Sequence, residues 1–459
     1  MNRLGTLFMS KIKFYTAILA ANSLSFMLKM ITKSSGTSFP GMVGLKICPE
    51  FINLAQDYSK KGIINITGTN GKTTTAGLFA HILSSSGKKI LHNEKGANML
   101  TGIASTLLEG VGFDKEFDYF VLESDEAYLT KLYDKLKADY LVVTNLFRDQ
   151  LDRYGELDTT FKKIQEAIDK NKDLTVVLNA DDPLVSALGK DNKKIFYGFE
   201  RIEFTFEASD ANAPAEAVEC PVCGANLYYH SRTYAHVGNY YCHCGYKRPE
   251  LKYSAQARVS LNYSELKVKE GLNEYDFKVN LPGLYNVYNA LAAISVALEL
   301  GISKEEIQNA LDSYQSVFGR AESLVLKEKN VLVQLIKNPV GASEVLRIIG
   351  DNKKSKLLII LNDNYADGRD VSWIWDANFE ILKDYDQPII VSGDRAYDMA
   401  LRLKYAGVNQ QLVHIEKDIR EALNGALALT QEDETLLVLP TYTALLKMQN
   451  IIKRRSFTK

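Results

Sequence analysis

The sequence predicts an α/β protein: a nucleotide-binding domain on a parallel sheet, interrupted by a zinc ribbon, then a second, Rossmann-like α/β domain. Three observations carry this. Short apolar runs rich in β-branched residues alternate with helical stretches. The first run ends in a Gly-rich turn containing Gly-Lys-Thr, and four of the five cysteines crowd into residues 220–244. At 459 residues the chain is too long for one ordinary core, so two or three domains are expected. Hydrophobic content of 46% and charged content of 24% exclude long disordered tracts, and a net charge of -1 gives no reason to expect nucleic acid as a partner.

Residues 1–55 form an N-terminal helical segment. Residues 14–31 lean apolar, but Asn22, Ser23, Ser25 and Lys29 interrupt them, so they fall short of a spanning helix. No small-residue cleavage site follows. The reading is an amphipathic helix, packed on the protein or lying on a membrane surface. The ATP-binding domain is expected over 56–317. Its strands are placed at 62–67, 117–122, 140–144 and 174–178, with helices at 73–84 and 281–300. The zinc ribbon inserts at about 215–250. A C-terminal domain over 318–459 repeats the α/β pattern, with strands at 331–336, 356–361, 388–392 and 435–439, each followed by a helix.

The turn reads Thr67-Gly68-Thr69-Asn70-Gly71-Lys72-Thr73-Thr74 and lies between a strand and a helix. Glycines let backbone N–H groups face phosphates, and the helix N-terminus favours anions. Lys72 reaches the β- and γ-phosphates, and Thr73 holds Mg²⁺ by its hydroxyl. The common phosphate-loop pattern wants a glycine five positions before Gly71, where Ile66 stands. Glu123 follows a strand on the same edge of the sheet, where a second Mg²⁺ ligand belongs.

Cys220-x-x-Cys223-Gly and Cys242-x-Cys244-Gly have the composition of a closed, structural four-thiolate zinc site. The second pair is one residue shorter than the usual knuckle, which leaves His243 or His236 open as a substitute ligand. With four cysteines on zinc, only Cys48 remains, and it lacks the sharp Gly-x-Cys-x-Gly turn of a glutaminase nucleophile. The run 363–376 holds Asp363, Asp367, Asp370 and Asp376 with two tryptophans; acids there cap a following helix or serve a site.

The variant loop resembles that of Mur ligases and folylpolyglutamate synthases. Further segments resemble the family in the same order: Thr144-Asn145-Leu146 with Asp149 and Asp152-Arg153-Tyr154-Gly155, Asn179-Ala180-Asp181-Asp182-Pro183, Gly283-Leu284-Tyr285-Asn286 onward, and Phe318-Gly319-Arg320-Ala321-Glu322. Gln150 stands where histidine is usual. The resemblance implies a P-loop Mur ligase-type fold and an ATP site of Gly68, Thr69, Asn70, Gly71, Lys72, Thr73, Thr74, Asn286 and Arg320. It also implies Mg²⁺ on Thr73 and Glu123.

Residues 1–55 are too few for the UDP-binding domain of ordinary Mur ligases, and the zinc ribbon is foreign to them. With the 363–376 run, these departures make the chain resemble the ligase-subunit family of lipid II isoglutaminyl synthases. That resemblance implies ATP-dependent amidation of the α-carboxyl of D-glutamate in the lipid II stem peptide, at the inner face of the cytoplasmic membrane. It also implies a heterodimer with a GatD-like class I glutamine amidotransferase, whose Cys-His pair an aspartate of this chain completes. Asp370 is the choice and Asp367 the reserve. Competing readings are an amino-acid-adding ligase, of the Mur or folylpolyglutamate type, and a zinc-ribbon NTP-binding adaptor.

Overall fold

The computed structural model describes residues 3–32, 38–94, 97–112, 115–148, 157–204, 219–260, 263–281, 283–315, 320–351, 355–432 and 434–455. The acids expected at Asp149 and Asp152 lie outside them, and so does the side chain of Arg320.

Three helices open the chain: α1 (Arg3–Thr32), α2 (Phe39–Ile47) and α3 (Phe51–Ala55). Then come β1 (Ser59–Thr67), α4 (Lys72–Ser85), β2 (Ile90–His92), α5 (Leu100–Gly110), β3 (Phe117–Glu123), α6 (Leu129–Tyr133), β4 (Tyr140–Val143), α7 (Leu157–Asp169), β5 (Thr175–Asn179), α8 (Pro183–Ala187) and β6 (Lys193–Phe204). The hairpin β7 (Tyr228–Tyr234) and β8 (Val237–Tyr241) is a separate two-stranded sheet. Three more strands, β9 (Tyr253–Val259), β10 (Ser264–Glu270) and β11 (Asn273–Val279), precede α9 (Leu284–Glu299) and α10 (Lys304–Ser313).

Nine strands form one sheet in the order β11-β10-β9-β6-β5-β4-β1-β3-β2. From β2 to β9 neighbours run parallel, whereas β9, β10 and β11 pair antiparallel. The sheet is therefore mixed rather than wholly parallel, because short connections join β9, β10 and β11 where a parallel pair needs a long crossover. Alternating residues feed opposite faces. Ile64, Ile66, Val121, Val142 and Val177 pack with α4 and α9. Ile63, Phe120, Leu122, Leu141 and Val176 share the other cluster with Phe14, Ile18, Phe51 and Ile52. The N-terminal helices are thus part of the body that carries the phosphate loop.

The second sheet has the order β12-β13-β17-β14-β15-β16. It comprises β12 (Arg320–Leu326), β13 (Lys329–Gln334), β14 (Lys356–Ile360), β15 (Ile389–Ser392), β16 (Val413–Ile415) and β17 (Thr435–Pro440), with helices α11 (Pro339–Asp351), α12 (Ala396–Tyr405), α13 (Ile419–Leu429) and α14 (Tyr442–Arg455). All pairs are parallel except the hairpin β12–β13. The helix expected after β14 is absent; two 3-10 turns, Ser372–Trp375 and Phe379–Leu382, stand in its place. Residues 362–370 are dense in Asn, Asp and Gly, whose side chains bond nearby backbone and compete with helix formation. Asp367 accepts the Asn364 N–H and Asp370 accepts the Ser372 N–H.

Candidate active site and metal centre

The phosphate loop is strapped to the segment after β4. Thr69 N–H donates to Asn145 O (2.9 Å), Asn70 N–H to Asn145 Oδ1 (2.9 Å), and Thr144 Oγ1 to Asn70 O (2.7 Å). Gly68 and Gly71 have φ of +126° and +84°. A Cβ on Gly71 would sit 2.0 Å from Asn289 Oδ1 in α9, and one on Gly68 would sit 2.2 Å from Thr144 Oγ1. Both positions therefore require glycine on conformation and on space. Asn289 also donates to Asn286 Oδ1 at 3.3 Å, which ties the expected nucleotide residue Asn286 to the same corner.

Thr73 Oγ1 donates to Glu123 Oε1 at 3.0 Å, and Asn98 Nδ2 donates to the same oxygen at 3.1 Å. Glu123 is buried, and its second oxygen, Oε2, is buried with no hydrogen-bond partner among the described residues. An orphaned carboxylate oxygen beside a threonine hydroxyl fits a divalent cation held by oxygen ligands. Asn93 fixes the end of β3 by bonding both the N–H and the carbonyl of Glu123.

Lys72 lies over the loop. Its Nζ donates to Gly68 O, to Thr69 O (3.3 Å) and to both oxygens of Glu126 (3.0 and 3.1 Å). Burial pushes the Glu126 carboxyl up, against the pull of Lys72. Glu126 was not among the expected site residues; the signal was the run Glu123-Ser-Asp-Glu126 at a strand end, where three acids share one loop. The C-terminal domain also reaches the site. Lys337 Nζ donates to Thr69 O (3.1 Å), and Asn338 Nδ2 to Asn70 Oδ1 (3.0 Å). These two were missed as well, since only contact across domains reveals them.

In the segment 179–183, Asp181 is enclosed. Its carboxylate takes bonds from Phe199 N–H (2.8 Å) and Tyr288 Oη (2.8 Å), and Arg248 Nε lies 2.7 Å away. Burial raises the Asp181 carboxyl and Arg248 opposes the rise. Asp182 caps α8 by accepting from Leu184 and Val185.

The four expected cysteine sulfurs converge, all within 4.8 Å of one another. Cys220 and Cys244 sulfurs are 3.7 Å apart, and those of Cys223 and Cys242 are 3.5 Å apart. Thiolates on a tetrahedral zinc at about 2.3 Å would be separated by roughly this much. Backbone N–H groups of Val222, Ala225 and Tyr246 point at the sulfurs, and positive φ at Gly224 and Gly245 makes those turns. Among the described residues His236 is no member of the cluster: it is fully buried, 3.5 Å from Asp182 and packed on Phe147. His243 packs against Tyr228. The ribbon is fastened to the nucleotide domain. Tyr240 and Tyr246 hydroxyls meet Ser186, Tyr246 also donates to Pro183 O, and Gly238 N–H donates to Asp181 O at 2.8 Å.

The two candidate aspartates of the C-terminal domain differ. Asp367 is buried and fully engaged: it accepts from Thr443 N–H (2.7 Å), the Thr443 hydroxyl and Asn364 N–H (3.1 Å), and burial raises its carboxyl. Asp370 is partly exposed; the hydroxyl and N–H of Ser372 hold its carboxyl below the usual range, with the N–H 2.8 Å from Oδ1. This bond is a local turn contact, since the N-cap of the 3-10 turn that follows is Val371, without a side-chain cap.

A Mur ligase middle domain model matches residues 66–297, and a MurT ligase C-terminal model matches 335–445. The chain is 36% identical over 446 residues to the lipid II isoglutaminyl synthase (glutamine-hydrolyzing) subunit MurT of Streptococcus pneumoniae, covering 96% of this chain and 97% of that one. It is 37% identical over 423 residues to the same-named subunit of Staphylococcus aureus, covering 91% and 93%. Among solved structures, a pseudomurein peptide ligase type C from Methanothermus fervidus superposes with a TM-score of 0.67 at 24% identity, over 86% of this chain and 79% of that one. MurF from Thermotoga maritima in complex with ADP gives 0.63 at 12% identity, over 90% and 85%. These two likenesses bear on the fold alone.

Proposed function

The chain belongs to the MurT family of Mur ligase-like subunits, and on that premise we propose that it performs the ligase half-reaction of lipid II isoglutaminyl synthesis. The α-carboxylate of D-glutamate in the lipid II stem peptide attacks the γ-phosphorus of ATP, and ADP leaves. Ammonia then attacks the acyl phosphate carbon, and inorganic phosphate leaves as the amide forms. The observation that carries the ATP half is the Thr73–Glu123 contact with its orphaned buried oxygen, set at the mouth of the phosphate loop.

The roles follow from the geometry. Backbone N–H groups at the start of α4 receive phosphate oxygens, and Lys72 exchanges its Glu126 partner for them. Thr73 and Glu123 hold Mg²⁺, which when bound neutralises phosphate charge. Lys337 and Asn338 bring the C-terminal domain against the loop, which places a second cation beside Lys72. Asn286 and Arg320 remain nucleotide contacts of this reading. Cys220, Cys223, Cys242 and Cys244 hold a structural Zn²⁺.

Ammonia comes from a GatD-like class I glutamine amidotransferase subunit in a heterodimer, and the complex works at the inner face of the cytoplasmic membrane. Asp370 is the residue that orients the partner's histidine: it is accessible, whereas every described oxygen of Asp367 is occupied by this chain's own groups. The test uses the heterodimer with lipid II and ATP. Asp370→Asn should lower glutamine-driven amidation about 10²-fold or more and leave ammonia-driven amidation intact. Equal rates with wild type in both assays would remove Asp370 from the triad. An amino acid joined to lipid II in place of an amide would instead favour the amino-acid-adding reading.

A further inference from the structure

We infer that the outer face of α1 is a docking surface for an anionic phospholipid membrane. The inference rests on the reading that the substrate is lipid-linked, and it names the surface that meets the lipid. One face of α1 is fixed to the body. Phe14 stacks on Phe51 at 4.8 Å, Ala17, Ile18 and Ala21 are buried, and Ser25 donates to Glu109 at 2.8 Å. The opposite face is mostly apolar and open: Met9, Ile12, Leu19 (60% exposed), Phe26 (65%), Met27 and Met30 (71%), with exposed Thr16 and Ser23 between them. At about 100° per residue, these six fall within an arc of roughly 100° that lies opposite the buried one. Scattered exposed apolar residues need no explanation, but six large ones gathered on one arc of a single helix do.

Charge identifies the occupant. Lys11 and Lys13 are exposed and stand on either side of the stripe. The sequence holds six basic residues and no acid before Glu50, although the chain as a whole is slightly acidic. An apolar stripe between cations, on a segment without acids, matches an interface of acyl chains beneath anionic headgroups. No described helix is long and apolar enough to cross a membrane, so α1 lies along the surface, held from behind by the protein.

The experiment floats the whole heterodimer with lipid II-free vesicles, either pure phosphatidylcholine or with about one third phosphatidylglycerol. Wild type should float with the anionic vesicles, less so at high salt. Leu19→Glu/Phe26→Glu and Lys11→Glu/Lys13→Glu should each reduce this at least about tenfold. Both variants should melt like wild type and amidate detergent-dispersed lipid II at the wild-type rate, but amidate vesicle-embedded lipid II more slowly. Failure of wild type to float, or flotation unchanged in both variants, would overturn the surface. So would release of the glutaminase subunit or of a second copy by these substitutions. Flotation that depends on α1, with no amidation in detergent by wild type, would support the docking surface and overturn the amidation reading.

Discussion

Glu123→Gln is expected to lower ATP-dependent amidation about 10²- to 10³-fold while leaving the melting temperature within a few degrees of wild type. The substitution keeps shape. Its amide oxygen still accepts from Thr73 Oγ1 and Asn98 Nδ2, as Glu123 Oε1 does at 3.0 and 3.1 Å. What it removes is the negative charge that faces a cation, and with it the anionic character of the orphaned Oε2. A parallel loss of Mg²⁺-dependent nucleotide binding, measured by calorimetry, ties the defect to the metal. Lys72→Ala is a less direct probe, because it strands buried Glu126 without its ion-pair partner. Removing one member of such a pair costs about 3–5 kcal/mol. A wild-type rate in Glu123→Gln would show that this carboxylate holds no metal.

The second large effect concerns zinc. Cys220→Ser should abolish stoichiometric zinc, measured by elemental analysis, and unfold the ribbon. Closed thiolate sites supply about 10 kcal/mol or more of folding free energy in small zinc domains. Here the loss should also reach the nucleotide site. Tyr246 grips Pro183, Gly238 bonds Asp181, and Arg248 pairs with the buried Asp181 carboxylate. This segment backs the strap behind the phosphate loop, Asn179 Nδ2 donating to Thr144 O (3.0 Å) and Leu146 N–H to Asp182 Oδ2 (2.8 Å). Freed of the ribbon it loses partners, so apparent ATP affinity should fall about tenfold or more, at roughly 1.4 kcal/mol per decade. Unchanged ATP affinity in a zinc-free chain would confine the ribbon to another task.

How much of this could be read from the sequence depends on how local each signal is. The turn at Gly68–Thr74 was legible as a strand–turn–helix junction because its glycines answer to backbone conformation within one turn. The four cysteines were legible by type and spacing, and the short Cys242–Cys244 step still brings its sulfurs into the cluster. Glu123 could be placed because it ends a strand, yet Glu126, three residues on, was not singled out. Its role depends on Lys72 folding back over the loop, which sequence spacing does not reveal. Lys337 and Asn338 were invisible for a stronger reason, since they meet the loop across 268 residues of chain. The helix expected after β14 followed from extending the strand–helix alternation of the domain past that strand, whereas Asp367 and Asp370 bind the backbone of their own loop. The antiparallel turn of the main sheet hid in β9–β11, whose strict alternation marks strands with one exposed face rather than a buried parallel run.

Activation of the carboxylate by phosphorylation, followed by its transfer to ammonia, leaves a trace in the oxygen atoms. Lipid II carrying ¹⁸O in the D-glutamate α-carboxyl is incubated with the heterodimer, ATP and glutamine, and the released phosphate and the product are weighed by mass spectrometry. The expected result is ADP, a product in which an amino group has replaced a hydroxyl, and one ¹⁸O atom in inorganic phosphate for each amide formed. Amide formed alongside unlabelled phosphate, or phosphate released with lipid II unchanged, would contradict it.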